Sequence, residues 1–238
     1  WVRCTAPRTV DGFQVVEPEW TVSRRPSGST SSLLVGFVDS ASLVLDAPGR
    51  FEIRYSGADT AGCTGTSPVA DVTASTSGAP DIRYIITWDT PLDTNSDDTG
   101  FGAGTDMDIH LRHQNGCWDS TIWDCHFRAR TPDWGVPGRT DDNPSLKVDD
   151  TDGWGPEIIT LQRAEAGVVY TLGVNYYDHH GYDSSTVRAY AFIRGVLEWT
   201  GSATLAADGA WWVAAQVDWA TETVTGIDQV SAAIPTCP

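Results

Sequence analysis

Short apolar runs separated by turn residues recur along the whole chain, and this pattern limits the fold more than any other feature. Helix signals are nearly absent, and strand-like runs return every 10 to 15 residues between clusters of Gly, Pro, Asp and Ser. The clearest runs cover residues 33–38, 51–55, 82–88, 107–112, 168–177, 186–193, 211–219 and 222–227. Many short strands with this punctuation predict an all-β sandwich or barrel.

A change in composition divides the chain into two parts. Residues 73–80, with the sequence TASTSGAP, are small and end in a proline, which is typical of a linker. We therefore predict two β-sandwich domains in tandem. The first is immunoglobulin-like and covers residues 1–77; the second is larger, jelly-roll-like, and covers residues 78–238. All five histidines lie in the second domain, which we expect to carry the chemistry.

The chain is strongly acidic, and the type of acidic residue that it uses is unusual. The chain has 32 acidic and 15 basic residues, for a net charge of −17, and a surface of this sign repels phosphate backbones and anionic lipids. No apolar run approaches the roughly 18 residues of a membrane helix. We expect no nucleic-acid partner and no membrane insertion. Between Asp89 and Asp152 there are 14 Asp and no Glu, and short carboxylates suit calcium loops.

Three acidic stretches supply the candidate ligands. In the run DMDIH at 106–110, acidic and apolar residues alternate, so a strand would place both carboxylates and the imidazole on one side. Two carboxylates about 4 Å apart repel by roughly 4 kcal/mol at an effective dielectric near 20, and a bound cation removes that cost. The predicted Ca²⁺ ligands are Asp106, Asp108, Asp149, Asp150, Asp152, Glu157, Asp97 and Asp98.

Other interpretations of these residues stay open. Asp-Gly and Asp-x-Asp are also ordinary turn residues on an acidic surface, and another metal is an alternative to calcium. The five histidines form no H-E-x-x-H motif, and His110 beside Asp108 favours a hydrogen-bonded core role over a ligand. There is no G-x-S-x-G motif. We predict no enzyme, with a metal-dependent hydrolase using His110 and nearby aspartates as one alternative.

Tryptophans provide a second alternative function. Trp118, Trp123 and Trp134 lie in a loop-like region, and Trp154 lies inside an acidic loop. Exposed tryptophans beside a structural Ca²⁺ stack on sugar rings in many carbohydrate-binding sandwiches. The competing interpretation, which we favour, is that they fill the core of a tied loop. A carbohydrate-binding module therefore remains an alternative.

The five cysteines include no C-x-x-C pair, which argues against a zinc ribbon. We predict disulfides between Cys4 and Cys63 and between Cys117 and Cys125, because each pair lies within one domain, although other pairings remain open. Disulfides indicate an oxidising compartment. The remaining Cys237 is free, joined to another chain, or paired beyond this sequence.

Two stretches of the first domain resemble a known family. Residues 20–29 (WTVSRRPSGS) and 45–53 (LDAPGRFEI) are similar to PKD-type immunoglobulin-like domains of bacterial surface proteins. The resemblance implies that Trp20 packs in the core and that the turn from Asp46 to Phe51 opens a late strand. The short sequence after Ser56 departs from the family pattern.

The second domain resembles YfaP-like secreted domains, which commonly follow a PKD-like module. The resemblance rests on residues 85–89 (IITWD), 106–111 (DMDIHL), 149–157 (DDTDGWGPE) and the tyrosine-rich stretch 170–177. It implies a bacterial protein that is secreted or attached to the cell surface. From the residues and the resemblance together we expect a calcium-binding structural or adhesion module. Its expected partner is a cell-surface protein or polysaccharide, or a second copy joined through Cys237.

Overall fold

Strands are the only regular elements in the described part of the chain. The computed structural model describes residues 1–6, 9–10, 13–35, 39–67, 69–94 and 103–237. Within these ranges there is no α-helix, and the predicted all-β fold is confirmed. None of the described residues lies in a helix long and apolar enough to cross a membrane. The chain divides into two compact units, Trp1–Ser77 (unit 1) and Gly78–Pro238 (unit 2).

Unit 1 is a small sandwich of two antiparallel sheets. Its strands are β1 (Val2–Thr5), β2 (Thr9–Val10), β3 (Phe13–Arg24), β4 (Leu33–Val35), β5 (Ser40–Leu43), β6 (Gly49–Asp59), β7 (Thr64–Thr66) and β8 (Ala70–Ala74). One sheet has the order β1-β5-β4, and the other has the order β2-β3-β6-β7 with β8 also paired to β6. Leu43 of the first sheet packs against Phe51 and Ile53 of the second, and Trp20 packs against this core.

Unit 2 is built from two five-stranded antiparallel sheets. Its strands are β9 (Ile82–Asp89), β10 (Asp106–His113), β11 (Asp124–Cys125), β12 (Pro144–Val148), β13 (Glu157–Leu161), β14 (Val169–Asp178), β15 (Ser185–Ile193), β16 (Val196–Leu205), β17 (Trp211–Asp218) and β18 (Thr223–Ser231). The first sheet has the order β12-β13-β9-β15-β16. The second sheet has the order β11-β10-β14-β17-β18.

The two sheets of unit 2 enclose one apolar core. Alternate residues of β9, such as Tyr84 and Trp88, and alternate residues of β10, such as Met107 and Ile109, are buried in it. Each fully buried large apolar side chain contributes about 1.5–3 kcal/mol relative to exposure. Because alternate residues of β10 point into the core, the residues between them must point away from it.

The outer face of the second sheet is also covered. Residues 114–123, which we call the cover loop, join β10 to β11, and Trp118 of this loop packs on Trp211 and Val213 of β17. The ring of Trp118 lies so close to Gly173 of β14 that a Cβ there would be 2.6 Å from it. All eight residues of β10 are buried, including its polar ones.

The predicted disulfide pairing is wrong. Cys117 is joined to Cys237, with their Cα atoms 4.9 Å apart, and Cys125 is a buried thiol. Cys125 belongs to the core between the sheets, whereas Cys117 lies in the cover loop, next to the tryptophan that packs on the outer face. In unit 1, Cys4 is partly buried on β1 and Cys63 is exposed, and they are not joined. Because Cys237 is paired within the chain, it is not left over to join a second copy.

Candidate metal centre

Three carboxylates from separate parts of unit 2 meet at one place. They are Asp108 of β10, Asp149 of the loop between β12 and β13, and Glu157 at the start of β13, and we call them the acidic cluster. One oxygen of each lies within 4.8 Å of one oxygen of each of the others. Asp108 is 4% exposed and Glu157 is 1% exposed. All three residues are among the predicted calcium ligands.

The alternation along β10 explains the position of Asp108. Met107 and Ile109 point into the core, so Asp106, Asp108 and His110 lie on the opposite face of the strand. This is the shared face that the sequence predicts.

Glu157 is fixed by backbone hydrogen bonds to two different segments. Its Oε2 accepts the amide of Ile109 at 2.6 Å, and its Oε1 accepts the amide of Asp150 at 3.2 Å. β11 pairs with β10 only at Leu111 and Arg112 and does not extend to Ile109. The carboxylate of Glu157 accepts the hydrogen bond from the Ile109 amide in place of a neighbouring strand. The bond connects β13 of one sheet to β10 of the other and places the glutamate beside Asp108.

The acidic cluster contains more negative charge than its hydrogen bonds neutralise. Arg130 Nη1 donates to Asp149 Oδ2 at 2.6 Å. In contrast, the buried Oδ2 of Asp108 has no hydrogen-bond partner in the described part of the chain. Burial raises the pKa of Asp108 to about 7, with His110 opposing the shift and Asp106 adding to it. Burial, followed by the charge of Asp108, raises the pKa of Glu157 well above its usual range.

Asp106 lies at the edge of the acidic cluster. Burial, together with the charges of Asp149 and Asp178, raises its pKa to about 6, while the charge of His180 opposes the shift. Asp178 pairs in register with Asp106 across β10 and β14. Sequence reasoning did not identify Asp178, His180 or Arg130 as neighbours of the site, because only the strand register and loop packing bring them there.

The other predicted ligands are placed differently. Asp150 and Asp152 interact with each other, and burial followed by this interaction raises the pKa of Asp150 to about 7. Neither residue belongs to the acidic cluster. Asp97 and Asp98 lie outside the described residues.

Two glycines bring the loops next to the site into backbone contact. A Cβ on Gly104 would lie 2.3 Å from the backbone nitrogen of Gly153, which no real Cβ contact allows. His180 Nδ1 donates to the carbonyl of Gly104 at 2.7 Å, which links the same loop to the end of β14. The close contact between the backbones of Gly104 and Gly153 therefore holds the segment before β10 against the loop before β13.

Replacing Gly104 by alanine is expected to destabilise unit 2 by about 1–3 kcal/mol, because the backbone of Gly153 must move to admit the methyl group. The measurement is equilibrium unfolding in urea. Gly65→Ala is the control, because Gly65 has open space around its Cβ position. Equal stability of Gly104→Ala and the wild-type protein would contradict the close approach.

The four loop tryptophans are interior residues. Trp118, Trp134 and Trp154 are 6%, 1% and 5% exposed, and Trp123 is partly buried against the core. Trp134 donates its indole N–H to the carbonyl of Ile122 at 2.6 Å. They fill the space beneath the loops, and three of them offer no exposed face on which a sugar ring could stack. Trp123, the fourth, is only partly buried, and the carbohydrate-binding alternative stays a prediction.

No family model matches the chain, and neither the curated proteins nor the solved structures contain a match. The resemblance to PKD-type and YfaP-like domains stays a prediction. The function has to be argued from the geometry of unit 2 itself.

Proposed function

We propose that unit 2 is a calcium-stabilised structural module of a secreted or cell-surface protein that acts in adhesion or surface assembly. The observation that carries the proposal is the buried carboxylate of Asp108, whose unpartnered Oδ2 accompanies the carboxylates of Asp149 and Glu157. A buried ionised carboxylate without compensation is strongly unfavourable, and a bound cation supplies that compensation.

The donor atoms of the acidic cluster favour calcium over softer metals. All three side chains offer only oxygen, and Ca²⁺ takes six to eight oxygen ligands in flexible geometry. Asp106 on the same face of β10 is a further candidate ligand, and backbone carbonyls and waters would complete the shell. Mg²⁺ demands a stricter octahedral arrangement than three loosely grouped carboxylates provide.

A structural role follows from where the acidic cluster lies. Asp108 belongs to one sheet, and Glu157 belongs to the other, so an ion held by both would join the two layers of the sandwich. The Cys117–Cys237 disulfide supports an oxidising, extracellular location. The acidic surface of the chain fits a cell-surface protein or polysaccharide as partner and does not fit nucleic acid. The proposal assigns no catalytic role.

Calcium dependence of the melting temperature tests the proposal. A chelator is expected to lower the Tm, and Ca²⁺ at about 100 times its dissociation constant is expected to add about 2.7 kcal/mol. This corresponds to about 5–11 °C for a unit of this size. Asp108→Asn should abolish the shift, and the calcium-free variant should be at least as stable as the calcium-free wild type because a buried charge is removed.

The matched control is Asp183→Asn, a substitution at an exposed aspartate outside the acidic cluster. This variant should keep the full calcium-induced shift. A Tm that responds to neither chelator nor calcium would overturn the proposal, and so would an undiminished shift in Asp108→Asn.

A further inference from the structure

Two buried imidazoles lie side by side on the outer face of the second sheet, apart from the acidic cluster. His110 of β10 is 1% exposed and His126, which follows β11, is fully buried. Their rings are stacked, with centroids 5.0 Å apart and planes at 16°. Asp119 of the cover loop completes a group of three in which one possible ligand atom of each residue lies within 4.8 Å of the others.

His126 has unmet hydrogen-bonding capacity. Neither of its ring nitrogens has a hydrogen-bond partner among the described residues, although the side chain is buried. A neutral imidazole carries one donor and one acceptor, and leaving such a group unsatisfied in the interior costs about 1–3 kcal/mol. The nearest carboxylate oxygen is Asp119 Oδ1, 3.6 Å from Nδ1. The side chain is therefore positioned for a ligand that none of its neighbours supplies.

His110 is held in the orientation of a metal-binding histidine. Its Nδ1 donates to Asp124 Oδ2 at 2.7 Å, and the same oxygen accepts the amide of Asp119 at 2.8 Å. The ring packs against Trp211, with centroids 4.5 Å apart, and Trp118 contacts it edge-on. A carboxylate behind one ring nitrogen fixes the tautomer and leaves Nε2 for the metal, which is the usual support of a histidine ligand.

We infer that His110, His126 and Asp119 form a binding site for a divalent transition metal ion, with Zn²⁺ the best fit. Two imidazole nitrogens and one carboxylate match the three protein ligands of an open zinc site, and nitrogen donors separate it from the all-oxygen acidic cluster. Two ligand atoms of a tetrahedral zinc lie about 3.4 Å apart, close to the 3.6 Å between Asp119 and His126.

Charge and exposure agree with this assignment. Asp119 and Asp124 bring two carboxylates to two imidazoles. The guanidinium of Arg128 lies 3.6 Å from Asp119 Oδ2, and the charge of Arg112 interacts with that of Asp124. The side chain of Asp119 is 38% exposed, so it can turn toward the ion. The site shares no residue with the acidic cluster, although the charges of His110 and Asp108 are close enough to interact.

Cobalt(II) provides a spectroscopic test on the full chain. Metal-stripped protein in saturating Ca²⁺ is titrated with Co²⁺, whose visible absorption reports nitrogen and oxygen coordination of low symmetry, and bound Co²⁺ is then displaced with Zn²⁺. We expect about one Co²⁺ per chain and full displacement by Zn²⁺. Asp119→Ala removes an exposed ligand and should weaken Co²⁺ binding at least about tenfold, and His126→Gln should do the same.

Asp183→Asn, at an exposed aspartate outside the site, is the matched control and should leave the titration unchanged. Unaltered Co²⁺ binding in Asp119→Ala would overturn the inference whether or not His126→Gln folds. Loss of the Co²⁺ spectrum in excess Ca²⁺, or in Asp108→Asn, would place the ion at the acidic cluster. That result would overturn the inference while leaving the calcium proposal standing.

Discussion

The apparent dissociation constant for calcium is expected to rise at least about 50-fold between pH 7 and pH 5. The pKa of Asp108 is raised to about 7, so below this pH a calcium ion must displace at least one proton. Competition with one proton weakens metal binding about tenfold for each pH unit. The fall in affinity should appear as a calcium-induced shift in Tm that is large at pH 7.5 and small at pH 5.

The calcium-free protein should show the opposite trend in stability. Asp106 and Asp108 have folded pKa values of about 6 and about 7, above the usual value of 3.8, so the folded state binds more protons than the unfolded state between these limits. Their contribution to stability is fully present below about pH 4 and is lost as the pH rises through 6 and 7. The calcium-saturated protein should not lose this stability as the pH rises. Melting curves from pH 5 to pH 8 measure both states, and parallel profiles with and without calcium would contradict the account.

Loss of the Cys117–Cys237 disulfide is expected to lower the free energy of unfolding of unit 2 by about 4–5 kcal/mol. The bond closes a loop with a sequence separation of 120, and the chain-entropy relation gives about 4.7 kcal/mol for a loop of 100 residues. At about 2–4 °C per kcal/mol, the Tm should fall by about 8–20 °C. The bond ties down the cover loop next to Trp118, so Trp118 should also become more accessible.

The double variant Cys117→Ser/Cys237→Ser, compared with the wild type by urea unfolding and calorimetry, measures this effect. Cys63→Ser is the control, because Cys63 is exposed and unpaired. A double variant as stable as the control would show that the disulfide contributes little. Quenching of tryptophan fluorescence by acrylamide reports whether Trp118 is released.

The fold was predictable where strands are buried in an apolar core. All eight predicted runs overlap strands, because residues such as Ile86 and Leu172 repeat at the strand period. Ten of the described strands lie outside the predicted runs: nine are β1–β3, β5, β7, β8 and β11–β13, and the tenth is β16 (Val196–Leu205). It lies at the edge of its sheet with residues alternating between exposed and partly exposed, so its sequence carries Gly201 and polar residues in place of a strong apolar pattern.

Burial by the cover loop could not be read from the sequence. The odd positions of the run at 213–219 are apolar and predict a half-buried strand. From Trp211 to Ala215, β17 is instead buried on both faces, and Trp118 packs on its outer side there, whereas Gln216 is exposed as the pattern predicts. The same loop determines the disulfide. Cys117 is near Cys125 in the sequence, but Cys125 belongs to the core between the sheets, whereas Cys237 is distant in the sequence and close in space.

The candidate site was predictable where one strand or loop carries it. Alternation alone places Asp106 and Asp108 on one face of β10, and the acidic loop contributes Asp149. The neighbours that decide the electrostatics, Arg130 and Asp178, come from segments whose register the sequence does not specify. The predicted hydrogen-bonded core role of His110 agrees with its bond to Asp124, but the stacking of His110 on His126 requires the three-dimensional packing.

Equilibrium dialysis against calcium at pH 7.5, with the bound ion counted by elemental analysis, tests the central claim most directly. The account predicts that the wild type and Asp183→Asn bind calcium with equal stoichiometry. It predicts that Asp108→Asn and Glu157→Gln each bind about one ion fewer per chain, because each removes a charge from the same site. Equal calcium in all four proteins, or no calcium bound by the wild type, would contradict it.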